Sequence, residues 1–117
     1  MRLPDDDHAA STARRVARQW ASHEGLPEEV VGDLELVVSE LVTNARRHGL
    51  PPYHFDLRRV DGVIRGEVCD GLPLAPRPKQ SPDETGGFGL GIVNSCASQW
   101  GTQTLPTGKQ VWFELKP

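Results

Sequence analysis

Apolar residues recur every three to four positions along the first half of the chain, and this spacing predicts two amphipathic helices. The first stripe lies within residues 5–25: Ala9, Ala13, Val16, Ala17 and Trp20. We expect the acids at positions 5–7 to cap this helix and Gly25 to end it. The second stripe follows Pro27: Val30, Leu34, Val38, Leu41 and Ala45. It predicts a helix that runs to His48 and ends at Gly49.

The pattern changes after two consecutive prolines at positions 51 and 52, which forbid further helix. Residues 53–60 and 63–69 are rich in β-forming side chains, and the Asp61-Gly62 between them is a strong signal for a β-hairpin. Residues 70–87 contain four prolines and no regular spacing, and a loop of this length usually indicates function or disorder. Helical spacing returns in residues 88–100, and residues 101–105 and 110–115 are predicted to be strands.

The order of these elements predicts the fold class. Two helices, two strands, a long loop, a helix and two strands favour an α+β fold. We expect a two-layer sandwich in which about three helices cover one face of a mainly antiparallel sheet of four to five strands. The 117 residues are enough for one domain, residues 1–117, with a single modest core.

Composition and charge narrow the function classes. The chain is 37% hydrophobic and 25% charged, which is typical of a soluble globular protein. A net charge of −3 argues against direct binding to nucleic acid or to an anionic membrane. No apolar run approaches the ~20 residues of a membrane span. Cys69 and Cys96 have no metal-type spacing, so we expect reduced thiols in a cytoplasmic protein.

The second predicted helix carries a group of polar residues beside its apolar stripe. Glu40, Asn44 and Arg47 are spaced by four and three positions, so they are neighbours on one helix surface, and His48 lies between this surface and the apolar stripe. At the margin of the buried face they should be partly desolvated. A carboxylate, an amide and a guanidinium converging there could serve a metal-bound phosphate group. From the helix alone, a solvated flank on which Glu40 and Arg47 merely pair is equally consistent.

Asp70 stands where the second predicted strand leaves the sheet, and Gly71 after it allows a sharp turn. A carboxylate in a half-buried pocket can accept a hydrogen bond from an exocyclic amine, which is how adenine is distinguished from guanine. Taken alone, however, Asp-Gly at this position is more typical of an ordinary turn.

Residues 85–91, with the sequence TGGFGLG, form a glycine-rich entry to the third predicted helix. Glycines let a backbone approach a ligand closely, and the free N–H groups of a helix start favour phosphate. The segment is neither a Walker motif nor a GxGxxG that follows a strand. By itself it is equally consistent with a flexible hinge.

The three motifs together are more specific than any one. The ordered series ELVTNARRHG, CDGLP and TGGFGLGIV resembles the N box and the two glycine boxes of the GHKL ATPase superfamily, which has the Bergerat nucleotide-binding fold. More narrowly, the chain is similar to the serine-kinase anti-sigma factors and related histidine-kinase-like ATPase regulators. The resemblance covers residues ~9–116.

This resemblance implies the roles of individual residues. Asn44 would be a Mg²⁺ ligand and Glu40 the general base, while Asp70 would bind the adenine amine of ATP and Gly71 would leave room beside it. Arg47 and His48 match positions that flank the nucleotide. The remaining cofactor-binding residues would lie in the glycine-rich segment: Thr85, Gly86, Gly87, Phe88, Gly89, Leu90 and Gly91. Residues 74–85 would form the ATP lid, with Arg77 and Lys79 as candidate γ-phosphate contacts.

The resemblance also implies a function. The chain would be a Mg-ATP-dependent serine/threonine protein kinase that phosphorylates a small anti-sigma-factor antagonist and sequesters a sigma factor. The alternative is a nucleotide-gated protein-binding module without phosphotransfer. One departure from the family pattern affects the fold. Only residues 1–4 precede the first helix, so we expect the sheet to lose an edge strand, and with it part of the surface of a homodimer. A second departure places Leu72-Pro73 where another glycine is common.

Overall fold

The computed structural model describes residues 1–73 and 90–117, which form three helices and five strands. In chain order these are β1 (Arg2–Leu3), α1 (Ala9–His23), α2 (Glu28–His48), β2 (Tyr53–Val60), β3 (Val63–Asp70), α3 (Leu90–Cys96), β4 (Gln99–Leu105) and β5 (Gly108–Leu115). The strands make one sheet in the order β1-β2-β3-β5-β4, and each neighbouring pair is antiparallel. The helices pack on this sheet, so the predicted two-layer α+β sandwich is confirmed.

Helix α2 forms the centre of the core because α1, α3 and the sheet all pack against it. Four of the five predicted stripe residues are buried, and Val30 is half-buried. The buried arc is wider than the predicted stripe, because neighbours cover the helix on several sides. It contains seven residues: Val31, Leu34, Val37, Val38, Leu41, Val42 and Ala45. Helix α1 offers four buried alanines to the core, and such small side chains permit a close approach of the two helices.

Of the acids at positions 5–7, only Asp6 caps the start of α1 as predicted: its Oδ1 accepts the backbone N–H of His8 at 2.7 Å, whereas Asp5 and Asp7 have another role. The helix begins after His8, whose side chain makes no capping hydrogen bond. Asp5 and Asp7 instead lie 3.9 and 3.3 Å from the guanidinium of Arg46 on α2. These acids therefore connect the segment before α1 to the last turns of α2. At the other end Gly25 ends the helix as predicted, with a φ of 71°.

The predicted β-hairpin is confirmed, with β3 extended by one residue to Asp70. Asp61 and Gly62 both have positive φ, at 53° and 80°, as a two-residue type I′ turn requires. The register pairs Val60 with Val63 and His54 with Cys69. Alternation along both strands then directs one set of side chains into the core, including Phe55 and Val68, which are buried.

The expected loss of an edge strand is wrong. Arg2 and Leu3 form β1 and pair with His54 and Tyr53 of β2. Two residues are too few to show a strand pattern in the sequence. They are held in place because Leu3 is buried in the core, where it is 3% exposed.

The helix predicted for residues 88–100 is shorter within the described residues, where α3 ends at Cys96 and Trp100 belongs to β4. The apolar residues keep a helical spacing past Cys96 because Val93 on α3 and Trp100 on β4 both face the core, although they belong to different elements. The backbone N–H of Ser98 donates to the carbonyl of Glu114 on β5, at 2.8 Å. That hydrogen bond draws the chain into the sheet and prevents a further helical turn. None of the described helices is long and apolar enough to cross a membrane.

Alanine substitutions at two glycines test this packing, and we expect them to change the free energy of unfolding in opposite directions. Gly66 on β3 faces the ring of Phe113, and an added Cβ would overlap that ring and lie 3.1 Å from Leu57 Cδ2. We expect Gly66→Ala to lower the free energy of unfolding by about 1–3 kcal/mol, the usual cost of overpacking. Gly32 on α2 has nothing within 4 Å of an added Cβ, so Gly32→Ala should raise the free energy of unfolding by roughly 0.5–1 kcal/mol. Urea denaturation measures both, and a Gly66→Ala variant as stable as wild type would contradict the described packing.

Candidate functional site

Asp70 is the one buried charged residue in the described part of the chain, at 5% exposed. A buried carboxylate is costly unless its oxygens are paired and hydrogen-bonded. Both oxygens of Asp70 have partners: Oδ2 lies 2.8 Å from Lys109 Nζ, and Oδ1 accepts the backbone N–H of Leu72 at 2.8 Å. The carboxylate at the end of β3 is therefore held at a defined position and orientation.

The pairing of β3 with β5 produces this contact. Asp70 and Lys109 are directly opposed in the antiparallel register. The approach of the two strands depends on Gly108, because an added Cβ there would overlap the carbonyl oxygen of Asp70 and lie 2.9 Å from Gly71 Cα. Any other residue at 108 would move the first residues of β5, and with them Lys109, away from Asp70.

The end of α2 forms a second wall of the site. Gly49 closes the helix by donating its N–H to the carbonyl of Ala45 at 2.8 Å, and an added Cβ at Gly49 would lie 2.5 Å from Asp70 Oδ2. The N–H of Gly71 donates to the carbonyl of Leu50 at 2.6 Å. These contacts bring the polar segment of α2 and the Asp-Gly motif together, although more than 20 residues separate them in the sequence.

The four predicted site residues on α2 differ in burial. Glu40 and Asn44 are half-buried, as predicted for the margin of the apolar face, whereas Arg47 and His48 are exposed. For Arg47 the predicted desolvation is therefore wrong, because Arg47 lies on the side of the last turn of α2 that is exposed. Within the described residues Arg47 makes no ion pair with Glu40, so the simple pairing alternative is not what the structure shows.

Asn44 lies between Glu40 and the end of the helix that contacts Asp70. It precedes Gly49 by five residues, which is about 7.5 Å along the axis, and Glu40 is about one turn further. Along the helix, moving away from Asp70, the amide of Asn44 therefore comes first and the carboxylate of Glu40 second. Their predicted roles as metal ligand and general base remain predictions.

The glycine-rich motif is described only from its end. Leu90 is the first described residue of α3, and Gly91 is exposed, with no atom of the described residues within 4 Å of an added Cβ. The other predicted cofactor-binding residues lie outside the described residues: Thr85, Gly86, Gly87, Phe88 and Gly89. The predicted lid at 74–85, with Arg77 and Lys79, lies outside them as well. No group of three or more His, Cys, Asp or Glu side chains suited to a metal ion occurs within residues 1–73 and 90–117.

The sequence pattern alone does not single out Lys109. It predicts that the last strand begins at residue 110, which places Lys109 in the turn. A signal was present, because inward-facing positions on β5 alternate, and Phe113, Val111 and Lys109 follow that alternation. A lysine in an inward register position indicates a buried partner of opposite charge.

Comparison with known proteins identifies the family. Residues 3–115 match the family model of the histidine kinase-like ATPase domain. The chain belongs to this family. The membership confirms the GHKL resemblance, and it implies that the domain binds ATP. None of the curated protein sequences matches the chain.

Solved structures show the same fold. One neighbour of this ATPase domain is the crystal structure of the RsbU and RsbW domains of Rv1364c from Mycobacterium tuberculosis, with a TM-score of 0.77 and 21% identity. Another is the histidine kinase domain from the Erythrobacter litoralis EL346 blue-light activated histidine kinase, with a TM-score of 0.60 and 19% identity. The alignments cover 99% and 97% of the chain, but only 31% and 64% of those two chains.

The contact between Gly49 and Asp70 makes a testable link between the end of α2 and nucleotide binding. A methyl group at position 49 would overlap the carboxylate, so Gly49→Ala should displace Asp70 or the helix end. We expect this variant to lose about 1–3 kcal/mol of stability and to bind ATP more weakly than wild type. Urea denaturation and calorimetric titration measure the two effects. Gly32→Ala, an alanine substitution on the same helix far from the site, is the matched control and should bind ATP normally. Unchanged ATP affinity in Gly49→Ala would show that the contact does not position Asp70 for the nucleotide.

Proposed function

We propose that this ATPase domain is a Mg-ATP-dependent serine/threonine protein kinase that acts as an anti-sigma factor. It would phosphorylate a small anti-sigma-factor antagonist and sequester a sigma factor. The observation that carries the proposal is the half-buried Glu40, one turn before Asn44 on the helix whose end contacts Asp70. Binding of a nucleotide alone needs Asn44 and Asp70 but no additional carboxylate at this position.

The residues fit Mg-ATP by their chemistry. The carboxylate of Asp70 is held in place as a hydrogen-bond acceptor, which suits the exocyclic amine of adenine. The side-chain oxygen of Asn44 is the kind of ligand that Mg²⁺ prefers, and a single protein ligand is common where phosphates supply the others. When bound, Mg²⁺ supplies charge neutralisation on the phosphates.

Glu40 supports phosphotransfer in this proposal. The hydroxyl oxygen of a serine or threonine on the partner attacks the γ-phosphorus, the bond to the β–γ bridging oxygen breaks, and ADP leaves. Glu40 accepts the proton that the hydroxyl loses. Positioning and charge neutralisation do most of the work in such transfers, so a rigid helix is a suitable element to carry the base.

The partner assignment is supported by two considerations. The sequence motifs are similar to those of the serine-kinase anti-sigma factors, and a structural neighbour contains an RsbW domain. The second candidate function is a nucleotide-gated protein-binding regulator without phosphotransfer. It uses the same Asn44 and Asp70 and differs only in having no chemical role for Glu40.

Asp70 provides a test of nucleotide choice. A carboxylate accepts from the adenine amine but would face the carbonyl of guanine, so ATP should bind much more tightly than GTP. Asp70→Asn removes one buried charge-assisted hydrogen bond and should cost roughly 1.5–3 kcal/mol of ATP affinity. Isothermal titration calorimetry with both nucleotides measures this. Equal affinity of the wild type for ATP and GTP would rule out the assignment of Asp70 to the base.

Glu40 and Asn44 separate the two candidate functions. Asn44→Ala should weaken Mg-ATP binding and abolish transfer together, because it removes a metal ligand. Glu40→Ala should still bind ATP but lose about 10²–10⁴-fold in transfer rate, the usual cost of removing a general base. The assay uses radiolabelled ATP with any small antagonist protein that is encoded beside this protein's gene, and nucleotide affinities are measured in parallel.

A matched control for Glu40 is Glu29→Ala, which removes an exposed glutamate in the first turn of the same helix and should leave transfer unchanged. If the wild type binds ATP tightly but transfers no phosphate to its linked antagonist, the kinase proposal fails. ATP-dependent release of the partner that is the same in wild type and Glu40→Ala would then favour the nucleotide-gated regulator.

A further inference from the structure

The ion pair between Asp70 and Lys109 places a donor beside the acceptor that the base is proposed to meet. The ammonium of Lys109 has three N–H donors, and its contact with Asp70 Oδ2 at 2.8 Å uses one of them. Asp70 likewise keeps acceptor capacity beyond its bonds to Lys109 and Leu72, since a carboxylate offers about four lone-pair sites. The pair can therefore offer an acceptor and a donor next to each other to one ligand edge.

The surroundings make the pair a built feature rather than a chance contact of a flexible lysine. The side chain of Lys109 is only 16% exposed, against 3% for Asp70. Gly108 allows its strand to approach Asp70, and Gly49 closes the other side of the carboxylate. The side chain of Lys109 retains more exposed surface than that of Asp70, so Lys109 forms the more solvent-exposed half of the pair.

The edge of adenine matches this arrangement. Its 6-amino group is a donor, and the adjacent ring nitrogen N1 is an acceptor. Guanine in the same position presents the reverse, with a carbonyl acceptor at position 6 and an N–H donor at N1. A site whose buried polar groups are matched by one base and left unpaired by the other discriminates strongly between them.

We propose that Lys109 is a specificity-determining residue of the nucleotide site, whose ammonium donates to N1 of adenine while Asp70 accepts from the neighbouring 6-amino group. This inference rests on the proposed function, because it assumes that Asp70 binds the base. Lys109 would then have two roles. It neutralises a buried carboxylate, and it supplies half of the recognition of the base.

The test combines a change in the protein with a change in the ligand. In 1-deaza-ATP the N1 acceptor is replaced by C–H, so it lacks only the atom that Lys109 would contact. Lys109→Met keeps a long side chain but removes the donors. We expect wild type to bind 1-deaza-ATP about 10- to 100-fold more weakly than ATP, the range for a hydrogen bond to a charged group. Lys109→Met should bind ATP more weakly than wild type and should bind 1-deaza-ATP as well as it binds ATP.

Two controls accompany these four affinity measurements, which combine two proteins with two ligands. Lys116→Met removes an exposed lysine just beyond β5 and should retain the full difference between ATP and 1-deaza-ATP. Urea denaturation tests whether Lys109→Met is folded. If that variant does not fold, Lys109→Arg, which keeps a donor, takes its place: wild type and Lys109→Arg should both favour ATP over 1-deaza-ATP, and the absence of this preference in wild type overturns the contact with N1.

The outcomes separate this inference from the proposed function. A wild type that binds ATP and 1-deaza-ATP equally overturns the contact with N1 while leaving ATP binding intact. An equal loss on 1-deaza-ATP in wild type and in Lys109→Met also overturns it, because Lys109 would then act only on Asp70. A wild type that binds neither ligand overturns the proposed function together with the inference.

Discussion

The buried charge of Asp70 is the constraint on which the arrangement of the site depends. A carboxylate removed from water must keep its partners, and here they come from two directions, the backbone after β3 and a side chain on β5. Satisfying it requires that β5 begin close to the end of β3, which Gly108 permits. The lack of a side chain at Gly49 also allows α2 to end against the same carboxylate, so three chain segments that are far apart in sequence meet at one point.

Helix α2 joins this site to the core. One side of the helix is buried among α1, α3 and the sheet, and the margin of the same helix carries Glu40 and Asn44. Because protein interiors are close-packed, a change in the apolar face of α2 would move these polar residues relative to Asp70. The stability of the domain and the placement of these polar residues are therefore coupled through one rigid element. Such an element suits a reaction that depends on positioning, as phosphoryl transfer does.

The ion pair between Asp70 and Lys109 also bears on recognition. A buried ion pair is weak evidence for stability, because the cost of removing both charges from water offsets much of their attraction. The proposed recognition of a base explains this ion pair at the end of β3 better than stability does, because an ordinary turn residue there would suffice for folding. In the proposed site, the pair keeps a charged acceptor at a position that is shielded from solvent, and Lys109 offsets the charge of that acceptor.

Elements whose signals are local could be predicted from the sequence. The Asp61-Gly62 turn, the bounds of α2 and its buried face follow from residues within a few positions of one another, and the structure confirms them. The motif series also sufficed to predict the superfamily and the position of Asp70 at a strand end.

Features that depend on distant partners are visible only in the folded protein. The strand β1 exists because Leu3 is buried, and α3 ends early because the N–H of Ser98 bonds to β5. The pairing of Asp70 with Lys109 is set by the register of two strands that lie about 40 residues apart in the chain. Periodicity reports which side of an element is apolar, but it contains no information about which residue of another strand will stand opposite. That choice is made by packing and by the need of a buried charge for a partner.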